Sequence, residues 1–241
     1  MNYVGLIWAD GRPAPEDLAV IQREIPGWIE EMDGRGVRLL GRELELPETA
    51  VTVRVRDGET LVSDGPFAET KEFMAGFDLL KCADLDEAIE VAAKHPSSWF
   101  QTIEIRPLAD ELRLGEKTSA FGRMDDSAGT PYLLIVWMGG TPAAPLDDEA
   151  VLREVEAWRH DVEARGPYVL GGALGSSVTA TTVRVRDRET LIGDGPCSGD
   201  EEFIGGIDVI RCADHQQAIE LAAKHPLARY HAIELRPFYT E

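Results

Sequence analysis

One internal repeat constrains the fold of this chain more than any other feature. Residues 52–107 return as residues 182–237 at a constant offset, with Val53 matching Val183, and about half of the paired residues are identical. Unrelated segments do not match at that level, so one unit has been duplicated. The repeat predicts a first domain over residues 1–108, a linker over 109–130 and a second domain over 131–241.

Each half carries the same order of predicted elements. A short apolar strand at residues 3–8 precedes a helix whose apolar residues recur every three or four positions, and Pro26 predicts a kink or a break inside that helix. Three strands follow. An apolar strand, a helix that begins after the N-cap Asp84 and a last strand over 101–107 complete the half.

A hairpin turn joins two of these strands. Asp57-Gly58 is a favoured pair for a tight type I′ turn, because both central residues of that turn need a positive φ angle. In the second half the pair is Asp187-Arg188. Loss of the glycine predicts another turn type there.

This order is that of a ferredoxin-like domain with an added hairpin strand. Such a sheet carries its helices on one face, and two copies can cover each other's open faces. The sequence therefore predicts an α+β fold in which two tandem ferredoxin-like domains pair sheet to sheet as an intrachain dimeric α+β barrel. The monomer would be a pseudo-dimer or would build a higher homo-oligomer.

Composition excludes some partners. The chain has 24 Lys and Arg against 44 Asp and Glu, a formal net charge of −20, which repels phosphate backbones and anionic membranes. Direct nucleic-acid and membrane partners are not expected; the acidic surface serves solubility or a basic partner protein. The three cysteines show neither a disulfide framework nor zinc spacing, so we expect a cytoplasmic protein without metal or cofactor.

A specific family resemblance is carried by the loop that follows the hairpin. The run Asp64-Gly65-Pro66-Phe67, with its neighbours, resembles the DGPF-domain branch of the YCII-related family. The resemblance implies a ferredoxin-like fold that pairs as an α+β barrel. It also implies two functional settings, since some relatives are associated with extracytoplasmic-function sigma factors and one branch is similar to dehydrochlorinases that use a His/Asp pair.

The chain departs from that family pattern in two places. The second half keeps Asp194-Gly195-Pro196 but continues with Cys197, so its loop is expected to have lost the role of the first. The histidine of the first helix in the dehydrochlorinase-like branch has no counterpart in either half.

A set of polar residues alternates with apolar ones along the predicted strands, which places the polar set on one face of each strand. We predict that this face is the one turned away from the helices. There the residues would either line a cleft for a small polar or anionic ligand or pair with one another as an ion-pair network. The predicted ligand-binding residues are Arg54, Arg56, Asp78, Glu104 and Arg106, their counterparts Arg184, Arg186 and Asp208, and Glu69 and Lys71 of the loop.

Two residues are candidates for catalysis. Asp64 is either a general base at the mouth of the cleft or a turn residue whose carboxylate accepts backbone N–H groups. His95 stands before a proline at a helix end, where it either caps the helix or takes part in catalysis.

The residues leave two functions open. The first is a small-ligand-binding or partner-binding module, regulatory through a sigma factor as the family resemblance implies. The alternative is a small-molecule lyase or hydrolase of the α+β-barrel type that uses Asp64 as its base.

Overall fold

The computed structural model describes residues 1–11, 13–67, 72–109, 113–114, 129–139, 142, 148–166, 168–199 and 201–240. The predicted linker therefore lies mostly outside the described residues. The helices are α1 (Pro15–Gly34), α2 (Leu85–Lys94), α3 (Asp148–Arg165) and α4 (His215–Lys224). None of these described helices is long and apolar enough to cross a membrane.

Thirteen strands are described, and all their pairings are antiparallel. They are β1 (Asn2–Asp10), β2 (Arg38–Glu43), β3 (Val51–Arg56), β4 (Glu59–Asp64), β5 (Glu72–Lys81), β6 (Thr102–Pro107), β7 (Arg113–Leu114), β8 (Thr130–Gly139), β9 (Tyr168–Ala173), β10 (Thr181–Arg186), β11 (Glu189–Asp194), β12 (Glu202–Cys212) and β13 (Ala232–Pro237). The predicted α+β class with duplicated ferredoxin-like elements is confirmed.

The two sheets exchange their hairpins. One sheet has the order β11-β10-β6-β1-β5-β2, and the other has the order β4-β3-β13-β8-β12-β9-β7. The hairpin β3–β4 of the first repeat thus pairs with β13 of the second, and β10–β11 pairs with β6. Each compact unit is consequently built from both halves of the sequence.

We call these compact bodies the first and the second unit. The first unit comprises Met1–Leu44, Thr70–Ala109 and Leu174–Asp200, and the second comprises Glu45–Glu69, Asp110–Ala173 and Glu201–Glu241. The predicted domain boundaries describe the repeats of the sequence, whereas the units describe which segments pack together.

Local signals explain the helices and turns. Asp84 caps α2 by accepting the Glu87 N–H, as the sequence predicts, and α1 runs through Pro26 without a break. The prediction of another turn type at Asp187-Arg188 is wrong, because these residues adopt φ angles of 51° and 67°, both positive as in the Asp57-Gly58 turn. Pairing of the two flanking strands in the same register imposes the turn on both sequences.

The helix-covered faces of β3 and β6 are the predicted apolar ones. Ile103 and Ile105 of β6 share a core with Trp28 and Val91 of the helices. In the second unit Val53 of β3 shares a core with residues of α3 and α4.

The prediction that Asp78 and Asp208 lie on the face turned away from the helices is wrong. Leu80, which lies on the same face of β5 as Asp78, packs in the core with α1 and α2, so Asp78 faces the helices. Ile210 places Asp208 on the helix-covered face of β12 in the same way. Phe77, on the opposite face of β5, is also fully buried, so alternation of polarity could not reveal which face the helices cover.

Candidate functional site

Asp78 lies at the centre of a buried polar cluster in the first unit. Its Oδ1 atom is 2.8 Å from Nε of Arg38 on β2, and its Oδ2 atom is 3.4 Å from Nε2 of His95. The other imidazole nitrogen, Nδ1, accepts the backbone N–H of Ser97 at 3.0 Å and so caps the 3-10 turn Pro96–Trp99. The ring of Trp28 packs edge-on against the imidazole at 4.4 Å between centroids.

Asp208 forms the corresponding cluster in the second unit with partly different partners. His225 Nε2 is 3.6 Å from its Oδ2 atom, and Trp158 packs against that histidine. The cation is supplied by Arg159 of α3, whose Nε is 2.8 Å from Oδ1 of Asp208. Tyr168, which occupies the repeat position of Arg38, donates its hydroxyl to the same Oδ1 atom at 3.1 Å.

Sequence reasoning missed these cation and hydroxyl partners and also the two glycines that admit the carboxylates. A Cβ atom at Gly41 would lie 1.8 Å from Oδ1 of Asp78, and one at Gly171 would lie 2.0 Å from Oδ1 of Asp208. Glycines at equal positions in the middle of two apolar strands were the signal that could have revealed a close approach.

The electrostatics of both clusters favour ionised carboxylates. Burial opposes the charge of Asp78, but the hydrogen bond from His95 and the charge of Arg38 outweigh it and lower its pKa. For Asp208 burial is outweighed by Arg159 and His225. Because Nδ1 of His95 accepts an N–H group, its proton sits on Nε2 and points to Asp78, which leaves no imidazole nitrogen available as a base in this arrangement.

A second polar constellation lies on the opposite face of the sheet in each unit. In the first unit Glu104 accepts Arg106 Nη1 at 3.3 Å and the backbone N–H of Cys197 at 2.9 Å, while Arg106 also donates to the Gly175 carbonyl. Burial raises the pKa of Glu104 despite these donors. Burial and Glu104 also raise the pKa of the Cys197 thiol, which is therefore protonated at neutral pH.

The second unit repeats this constellation, with Phe67 in the place of Cys197. Glu234 accepts Arg236 Nη1 at 3.3 Å, the Phe67 N–H at 3.0 Å and the indole N–H of Trp137 at 2.8 Å. The Phe67 ring lies 5.4 Å from that of Trp137 between centroids. The carboxylate therefore fixes the backbone of the loop that carries Phe67.

Arg56 and Arg186 act as clamps on carbonyl groups. Arg56 donates to the carbonyls of Ala228, Arg229 and His231 at 3.0 to 3.2 Å, and to that of Val55. Arg186 makes the equivalent bonds to Ser98, Trp99 and Phe100 and to Val185. These bonds tie the end of each hairpin to a 3-10 turn of the other repeat.

Arg54 and Arg184 occupy equal positions but have different surroundings. The Arg54 guanidinium lies 5.0 Å above the Phe67 ring and makes no hydrogen bond or ion pair with any described residue. Arg184 is half exposed and reaches Glu72 at 3.4 Å. The difference follows from the loops, since Cys197 stands where the first loop has Phe67.

Asp64 is exposed at the end of β4, where Gly65 turns the chain with a φ of 93°. Its carboxylate accepts no hydrogen bond from the part of the chain that the structure describes, so the predicted turn contact is absent there. Glu69 and Lys71 lie outside the described residues. We define the Arg54 site as Arg54, Phe67, Trp137 and Glu234, all in the second unit.

The Arg54 site offers an aromatic platform and a forked cation, which suit an oxyanion such as carboxylate or phosphate. Among the described residues no group of three His, Cys, Asp or Glu side chains is placed to hold a metal ion.

Comparison with known proteins identifies the family. A family model described as "YCII-related domain" matches residues 1–111 and again residues 134–240. An uncharacterised protein of Rhizobium meliloti (strain 1021) is 51% identical over 69 residues, a match that spans 27% of this chain and 54% of that relative. A crystal structure of a protein assigned as a chlorite dismutase aligns over 99% of this chain and 95% of its own, with 11% identity and a TM-score of 0.43. With most of its length matched by the same family model in two copies, this chain belongs to the YCII-related family.

Proposed function

We propose that the protein is a small-ligand-binding module that holds an oxyanion at the Arg54 site. The observation that carries the proposal is that Arg54, alone among the five arginines predicted to bind ligand, makes no hydrogen bond or ion pair with a described residue. The other four donate to carbonyls or to carboxylates.

The stacking of Arg54 prepares it for an oxyanion. A guanidinium that lies over an aromatic ring keeps the N–H groups at its edge available for a bidentate carboxylate or phosphate. Phe67 is held by its own N–H on Glu234, so the platform is in place before a ligand arrives.

Two finer roles fit the same site. A lyase or hydrolase would use the exposed Asp64 carboxylate as base on the bound molecule, and a regulatory module would present the occupied site to a protein such as a sigma factor. Asp64→Asn separates them, because it would stop turnover in the enzyme and leave binding intact in either case.

Calorimetric titration with inorganic phosphate and with succinate tests the proposal. Arg54→Gln should weaken binding of the tighter probe about tenfold, because it removes one charge-assisted hydrogen-bonding pair. Arg184→Gln is the matched control, because it removes the arginine at the same repeat position and should leave the dissociation constant within about twofold of the parent. Equal weakening by both variants, or no binding of either probe at millimolar concentration, contradicts the proposal.

A further inference from the structure

A groove separate from the Arg54 site runs along the first unit between α2 and the hairpin β10–β11. Its volume is about 640 Å³, within the range of small-molecule sites. Both apolar and charged side chains line it. The apolar lining residues are Ile89, Ala93, Trp99, Val185 and Ile192.

Trp99 distinguishes this groove from the equivalent surface of the other repeat. Trp99 is partly exposed, whereas every other tryptophan of the chain is less than a tenth exposed. The second repeat has Arg229 at this position, which pairs with Glu154 and lies over the ring of Tyr230. The repeat comparison thus identifies a partly exposed tryptophan in this groove that the second repeat replaces with arginine.

Arg188 is the second difference between the two repeats. It occupies the turn position that Gly58 holds in the first repeat, and it does so with a φ of 67°, a conformation that is unfavourable for a residue with a Cβ atom. Its guanidinium makes no hydrogen bond or ion pair within the described part of the chain. A strained residue that lines a groove, and whose side chain pairs with no described residue, indicates a role for that side chain.

The charges of the two walls are unequal. Lys94 on the helix wall is already paired, with Glu90 at 3.0 Å and Glu31 at 3.2 Å, and Asp86 lies on the same helix. On the hairpin wall Arg188 is the charged lining residue. An anion in the groove would therefore be repelled by the helix wall and attracted by the hairpin wall.

We propose that this groove binds an amphipathic organic anion. Its aromatic body would lie on Trp99 and its carboxylate, sulfonate or phosphate would pair with Arg188. Aromatic stacking explains the exposed indole, and the unpaired guanidinium explains the arginine at a glycine position. This site does not depend on the Arg54 site.

Two fluorescent probes separate the two contributions. 1-Anilinonaphthalene-8-sulfonate has the aromatic body and an anionic group, and N-phenyl-1-naphthylamine has the same ring system without the charge. In the full chain, Arg188→Gly should weaken binding of the sulfonate about tenfold and leave binding of the neutral probe unchanged. Trp99→Arg should weaken both, because it removes the stacking surface. Both variants take the residue of the other repeat, so each is compatible with its backbone.

Further variants keep the test decisive. Trp99→Phe retains a ring and should bind the neutral probe within about threefold of the parent, even if Trp99→Arg fails to fold. Arg153→Gln, an exposed arginine of the other unit, should change neither probe. Arg188→Gly should also raise the melting temperature, since glycine relieves the strain of the turn. Parent-like sulfonate binding by Arg188→Gly, or equal weakening of both probes, would overturn the proposal.

Discussion

Gly41 and Gly171 lie inside strands β2 and β9, where glycine ordinarily weakens a strand. Glycine is required at each position because an aspartate carboxylate occupies the space that a side chain would fill. Asp78 and Asp208 are thereby brought within reach of a histidine and an arginine on elements distant in sequence. Each of these buried carboxylates is compensated only while its partners remain in place.

Gly171→Ala should therefore destabilise the protein by about 3 kcal/mol, because the new Cβ atom displaces Asp208 from the buried Arg159. Gly27→Ala is the control: it lies inside α1 with nothing within 4 Å of the added atom, and it should stabilise the helix by up to about 1 kcal/mol. Urea denaturation measures both. A free energy of unfolding for Gly171→Ala within about 0.5 kcal/mol of the parent would contradict this role.

At the scale of elements, the sequence predicted most strands and helices together with both hairpins. It failed to show which face of β5 and of β12 the helices cover. Phe77 and Leu79 on one face of β5 are as buried as Leu80 on the other. It also failed at the Asp187-Arg188 turn, where strand pairing outweighs the preference of the residues. Periodicity reports how polarity alternates, and it carries no information on strands that are buried on both faces.

The clamp of Arg56 gives a prediction about its hairpin. Arg56→Met should cost about 2 to 3 kcal/mol, because it leaves carbonyls of the 3-10 turn Pro226–Arg229 without their charged donor. Arg54→Met, two residues earlier on the same strand, loses only the ring contact and should cost less than about 1 kcal/mol. Denaturation gives the free energies, and hydrogen exchange of the β4 amides shows whether the hairpin loosens. Equal costs for the two variants would argue against the clamp.

At the scale of the whole molecule, the two repeats complete each other's sheets. Val53 of β3 pairs with Ile233 of β13, and at the same offset Val183 of β10 pairs with Ile103 of β6. One repeat alone therefore contains both sides of this contact.

Residues 1–128 expressed alone should form a dimer in which each copy lends its β3–β4 hairpin to the β6 of the other. The reason is that β3 and β6 carry the complementary edges that pair across the repeats in the full chain. Light scattering after size exclusion gives the mass, and residues 129–241 serve as the matched fragment. A folded monomer whose hairpin amides are protected from exchange would show instead that the hairpin folds back on its own sheet.

The sequence by itself determined the duplication, which is visible as a repeat of residue identities. It also determined the type of most elements, the positive-φ turn at Asp57-Gly58 and the Asp84 cap, because these depend on residues close together in the chain, and with them the α+β class. The tertiary structure alone decided which sheet each hairpin joins, which face Asp78 and Asp208 occupy and which arginine has no hydrogen-bond or ion-pair partner among the described residues. The physical reason is that the two repeats present nearly the same strand edges. Local pattern cannot tell β6 from β13 as the partner of a hairpin, and long-range pairing decides which charges are neutralised.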